Sequence, residues 1–151
     1  MNHRIAAVVV AGCLLSGLSV TASAVDVDEA IGYRQGVFKA IKWNVGPMGA
    51  MLKGARPFDA KAFLMYATRV EALSQMPLEG FVEGSDVGET SAKPEIWSQW
   101  PKFESRMQDF QTQAAKLVEV AKGGDQGAIK AQFGATTKSC KACHDDFRVK
   151  D

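Results

Sequence analysis

Near the C-terminus the chain reads Cys140-Lys141-Ala142-Cys143-His144. Two thiols at this spacing fall on one side of a helical turn, and an imidazole follows at once. Paired thiols can each add to one vinyl group of a haem, giving two thioether links. The adjoining histidine is then placed to become an axial ligand of the iron. A redox-active cysteine pair has the same spacing, but that chemistry belongs at a helix start that follows a strand. Here the motif lies late in a helical segment with no strand pattern before it. A buried cysteine pair beside a surface histidine is the plainer alternative.

The remaining cysteine, Cys13, lies in a different kind of segment. Arg4 gives a positive start, residues 5–20 are mostly apolar, and Ala22-Ser23-Ala24 fits small-residue cleavage before Val25. Residues 1–24 are therefore expected to be a signal peptide, removed on export to the periplasm, and residues 25–151 to form one haem domain. The apolar run is too short for a membrane span. Val10-Ala11-Gly12-Cys13 also resembles a lipoprotein-processing pattern, but cleavage there leaves an unusually short signal. Loss of Cys13 leaves Cys140 and Cys143 alone, which suits cysteines committed to a cofactor rather than to disulfides. The chain has 18 Lys+Arg and 17 Asp+Glu. Removing residues 1–24 takes away only Arg4 and leaves the signs equal. This balance argues against a nucleic-acid surface.

Four helical stretches position the motif. Residues 28–52 carry apolar positions at three- and four-residue steps, including Ile31, Phe38, Val45, Met48 and Leu52. Pro47 falls inside this pattern and predicts a kink, not an end. Residues 58–76 form a second helix with Phe63, Ala67, Val70 and Ser74 on one face, and Pro77 as its stop. Residues 77–101 are broken by glycines and prolines, with one short helical turn expected at Glu95-Ile96-Trp97. Residues 102–122 repeat Phe103, Met107, Phe110, Ala114 and Leu117, closed by Gly123-Gly124. Residues 125–148 complete the set, with Asp125 as cap. Its stripe of Ile129, Phe133, Cys140 and Phe147 predicts that the cysteines and His144 point into the core. The fold class is all-α, an antiparallel up-down-up-down four-helix bundle with covalently bound haem.

In that topology the end of the fourth helix lies beside the start of the first. His144 should therefore face the early turns that carry Arg34, Gln35 and Phe38. The loop between the second and third helices lies at the same end and can close over the haem edge. Met48 stands ten residues past Phe38, roughly 15 Å along the helix, so it is a poor sixth ligand. Phe38, which has no lone pair to give, is expected opposite the iron and leaves it five-coordinate. Arg34 is either a solvated surface residue or a partner for a haem propionate, and Gln35 beside it can bond the same group. Arg148 is one turn past His144 and either packs on the proximal side or favours the negative helix end.

With Tyr33-Arg34-Gln35, Pro94-Glu95-Ile96-Trp97 and the run from Ser139 to Arg148 in view, the chain resembles the cytochrome c′ family over essentially its whole mature length. The resemblance implies one covalent haem c per chain, held by Cys140 and Cys143, with His144 as the metal ligand. It implies propionate contacts from Arg34 and Gln35, and a further haem-edge contact at Ser91. It also implies a periplasmic homodimer joined through the first two helices. Phe38 stands where leucine or methionine is more usual, and Phe147 where tyrosine is frequent. The function implied is binding of nitric oxide and carbon monoxide at high-spin iron, in a family customarily placed with electron transport. A periplasmic electron carrier with an unknown redox partner is the second reading. An enzyme is not expected, because His144 is the only histidine left after processing and no acid–base histidine serves the distal side.

Overall fold

The computed structural model describes residues 26–150. The expected signal peptide, with Cys13, lies outside them. Helix α1 spans Val27–Leu52, α2 Ala60–Ser74, α3 Glu95–Ser98, α4 Trp100–Gly123 and α5 Gln126–Phe147, with a 3-10 turn at Pro77–Gly80. No strand occurs among the described residues, and the four long helices are those the periodicity predicts. No described helix is long and apolar enough to cross a membrane.

Local chemistry sets the helix boundaries. The Asp26 carboxylate accepts from the Asp28 and Glu29 amides at 2.9 and 3.1 Å, so α1 starts one residue earlier than its apolar pattern. Asp59 and Asp125 cap α2 and α5 by accepting from the Ala62 and Ala128 amides. Pro47 is carried inside α1, as expected. Pro101 was expected to act as a break but lies in the first turn of α4, where a missing N–H costs no helical bond. Gly124, at φ 73°, ends α4 in the left-handed conformation.

The bundle is closed on three sides: α1 packs on α2, α2 on α4, and α4 on α5. The fourth side is a wedge. At its narrow end a β-carbon placed on Gly49 would lie 3.6 Å from the Phe133 ring, and Phe133 meets Phe63 edge-on. This end is filled by the main core, in which Met48, Phe63, Val70, Leu117 and Ile129 are wholly buried. Toward the start of α1 and the end of α5 the two helices part. A second apolar cluster of Phe81, Ile96, Phe103, Met107 and Phe147 packs at this open end.

The long connection between α2 and α4 spans the open end as a strap. Its first half is tied to α1 by Arg34, only 2% exposed. Arg34 Nη1 donates to the Gly80 carbonyl at 2.8 Å and to Ser85 Oγ at 2.6 Å. Its Nη2 donates to the Ser85 carbonyl at 2.5 Å and to Thr90 Oγ1 at 2.9 Å. The guanidinium also stacks 4.6 Å from the centre of the Phe81 ring. Burial pulls its pKa down, partly offset by Asp86, yet a guanidinium remains charged at any ordinary pH. The second half of the strap is tied to the end of α5. Ala92 and Arg148 form an antiparallel bridge, with Lys93 N donating to Phe147 O at 3.0 Å and Val149 N to Ser91 O at 2.9 Å. Lys93 Nζ caps the last turn of α5 by donating to the Asp145 and Asp146 carbonyls.

Arg34→Met leaves the buried Gly80 and Ser85 carbonyls without donors. Chemical denaturation should show a loss on the order of 3 kcal/mol. Gly80 sits against α1, where a β-carbon would lie 2.8 Å from the Ala30 carbonyl oxygen and 2.8 Å from Arg34 Cβ. Gly80→Ala should therefore cost about 1–3 kcal/mol. Gly134, inside α5 with open space around it, gives the opposite sign: Gly134→Ala should gain about 0.5–1 kcal/mol in the same assay.

Candidate functional site

The wedge between α1 and α5 encloses a cavity of about 520 Å³, a size typical of cofactor sites. Helix α5 presents Cys140, Cys143 and His144 to it, and α1 presents Phe38, Ile41 and Val45. The inner wall comes from α4, through Phe103, Met107 and Phe110, with Phe81 and Ile96 of the strap beside them. The inner lining is mostly hydrocarbon, with the two thiols and the imidazole on α5 and the cations Arg34, Lys39 and Lys42 on α1.

Helix α5 is fixed against α4 on both sides of the motif. Below it, Thr136 Oγ1 donates to the Gln113 carbonyl at 3.2 Å. Beyond it, Asp146 accepts from Arg106 Nε at 3.0 Å and pairs with Lys102 at 3.3 Å. These partners hold the Asp146 carboxyl below its ordinary range. Lys141 pairs with Asp145 one turn away on the outer face.

The two cysteines are half-buried free thiols. Burial raises the pKa of Cys140, and burial reinforced by Cys140 pushes Cys143 up to about 11. Both are therefore protonated near neutrality. They are poor thiolate metal ligands, and no cluster of three or more metal-binding side chains occurs among the described residues. The His144 pKa is lowered, first by burial and then by the Arg148 charge, so its imidazole is neutral with a lone pair to give. Side-by-side thiols, a neutral imidazole and an apolar slot fit a flat macrocycle bound as a c-type haem.

The site residues expected from sequence meet in this one place. Cys140, Cys143, His144, Phe38, Arg34, Gln35, Ser91 and Arg148 all line the cavity. Details differ from expectation. His144 does not point into the core; it is exposed at the cavity mouth. Arg34 is no solvated surface residue, since all four of its terminal N–H groups are engaged by the strap. Gln35 Nε2 likewise donates to the Glu89 carbonyl at 2.7 Å. Ser91 ties the strap to α5 through its backbone carbonyl as well as lining the cavity. Phe38 packs edge-on to Phe81, with ring centres 6.4 Å apart. The sequence reading missed the α4 wall: Phe103, Met107 and Phe110 were legible as an apolar stripe, but nothing in a stripe separates core from cavity. Lys39 and Lys42 also reach the cavity.

A family profile described as Cytochrome C' matches residues 29–148. The chain is 40% identical to cytochrome c' of Halomonas halodenitrificans, covering 82% of this chain and 98% of that one. The solved structure of cytochrome c prime from Shewanella frigidimarina is 48% identical, with a TM-score of 0.82 over 84% of this chain and 99% of that one. A nitric oxide complex of a cytochrome c prime variant from Alcaligenes xylosoxidans is 34% identical, with a TM-score of 0.79 over 85% and 99% of the two chains. The matched segment runs from the first turn of α1 to the Arg148 bridge and includes the thiol pair, the imidazole and the facing wall. This chain belongs to the cytochrome c′ family, and a c-type haem is the cofactor that membership implies.

Proposed function

We propose that this protein is a periplasmic haem protein that binds nitric oxide and carbon monoxide, with one covalently attached haem c per chain. When bound, the haem supplies a high-spin, five-coordinate iron with one position open to a neutral diatomic. The observation that carries the reading is that paired thiols and a neutral imidazole on α5 share one cavity with the apolar side chains Phe38, Ile41 and Val45 of α1. Cys140 and Cys143 tether the group, and His144 donates its lone pair from one side. Phe38, Ile41 and Val45 face it without a donor atom, exclude water and disfavour polar ligands. A neutral diatomic needs no charged pocket, only room beside the Phe38 ring. A solved relative is described as a nitric oxide complex, which supports the same ligand class here.

The proposed activity is binding rather than catalysis, because His144, the one histidine in residues 25–151, is committed to the iron. Residues 1–24 have the pattern of an export signal, which supports periplasmic placement. A homodimer through α1 and α2 is supported by large apolar side chains left outside the bundle, Trp43 at 79% and Met65 at 40% exposure.

The optical spectrum of the ferrous protein, with and without nitric oxide, tests the reading. A high-spin band that shifts on adding the gas is expected. A low-spin spectrum with a sharp reduced alpha band would favour the electron-carrier alternative. Phe38→Ala should speed carbon monoxide binding and tighten it about tenfold, equivalent to about 1.4 kcal/mol; unchanged stopped-flow kinetics would show that the ring is not the gate. Trp43→Arg should shift the sedimentation coefficient from dimer to monomer, and an unaltered coefficient would place the interface elsewhere.

A further inference from the structure

The near-equal count of positive and negative residues conceals a one-sided distribution of charge. After Glu29, helix α1 carries Arg34, Lys39 and Lys42 and no acidic residue. Before Asp145, helix α5 carries Lys130, Lys138 and Lys141 and again no acidic residue. These are the two helices that part to form the cavity. Acidic residues lie instead on the other elements, as at Glu71 of α2, Glu83 and Glu89 of the strap, and Glu104, Asp109 and Glu119 of α4. A chain with balanced signs thus carries its excess of cations on the two helices between which the cavity opens.

All five lysines are exposed. Lys141 pairs with Asp145, and the other four have no side-chain partner among the described residues. Lys39 and Lys42 line both the cavity and a surface depression beside it, so they stand at its rim. No aspartate or glutamate lines the cavity. Arg34 and Gln35 line it as well and are at hand for the carboxylates of a bound haem, while the rim lysines face solvent. Unpaired ammonium groups around one opening steer an oppositely charged protein toward it and fix its orientation. The proposed ligand chemistry also needs an outside electron, since carbon monoxide binds ferrous and not ferric haem. We propose that this lysine face docks an acidic electron-donor protein at the cavity opening. One electron passes from the reduced partner to the ferric iron. The partner is oxidised by one electron, the iron becomes ferrous, and no bond or proton is exchanged. The inference rests on the haem reading above.

The test uses the purified ferric holoprotein, with reduced flavodoxin, an acidic flavoprotein, as the donor. The rate of iron reduction in stopped flow should fall steeply as ionic strength rises. Neutral lumiflavin semiquinone supplies a reference, and the ratio of the two rates removes any change in the potential of the iron. Lys39→Gln/Lys42→Gln should lower this ratio about tenfold at low salt, and Lys39→Arg/Lys42→Arg should keep it at the wild-type value. Lys61 and Lys116 are exposed on α2 and α4. Lys61→Gln/Lys116→Gln makes the same change in net charge there and should leave the ratio unaltered. Carbodiimide coupling to flavodoxin carboxylates should give cross-links at Lys39 and Lys42. A rate indifferent to salt, an equal loss in both glutamine pairs, or cross-links centred on Lys61 and Lys116 overturns the proposal. So does binding of phosphatidylglycerol vesicles or DNA that Lys39→Gln/Lys42→Gln abolishes while the flavodoxin ratio stays the same. The pyridine haemochrome of each variant separates the two levels of inference: absence of a haem c signal contradicts the function, whereas its presence with an unchanged ratio contradicts only this docking face.

Discussion

Two helices of this bundle must stay apart at one end while touching at the other, and the site depends on that constraint. The narrow end is set by Gly49 against Phe133, with Phe63 behind. Close-packed aromatic rings there resist compression and act as a fulcrum. The open end is spanned by a loop rather than by direct helix contact. Arg34 fastens the first half of that loop to α1, and the Ala92–Arg148 bridge fastens its second half to α5. The strap thus connects the ends of α1 and α5 without bringing the helices together, and the cavity lies in the gap.

The same loop explains a buried cation in a small protein. An unpaired charge in an apolar interior is costly, and Asp86 offsets that cost only in part. Backbone carbonyls and hydroxyls of the strap replace water around the guanidinium instead. Arg34 therefore organises a segment that lacks regular structure and has no ladder of its own to satisfy its carbonyls. Across the cavity, burial keeps both thiols neutral, and partial desolvation together with the Arg148 charge keeps the imidazole neutral. Neutral groups on α5 and the hydrocarbon of Phe38, Ile41 and Val45 on α1 suit covalent attachment, single axial ligation and an uncharged diatomic.

Much of this was legible in the sequence because it is written in short-range chemistry. The apolar steps from Ile31 to Leu52 marked out α1, Asp125 marked the start of α5, and the cysteine pair with His144 pointed to the cofactor class. The antiparallel topology then brought Phe38 opposite His144, since helix order alone fixes which ends are neighbours. What stayed hidden is what depends on long-range partners. Pro101 looked like a break because its helix starts at the residue before it. Arg34 gave no hint of its burial, because its acceptors lie 46 to 56 residues away. Met107 looked like any core methionine, because a face buried against a cavity and one buried against protein have the same period.

The most direct measurement is the electron density of the holoprotein between α1 and α5. The account predicts a single porphyrin in the wedge, joined through sulfur to Cys140 and Cys143, with a His144 nitrogen on the iron and only hydrocarbon of α1 on the opposite face. A protein atom bonded to the iron on the Phe38 side, or a porphyrin lying anywhere but in this wedge, would contradict it.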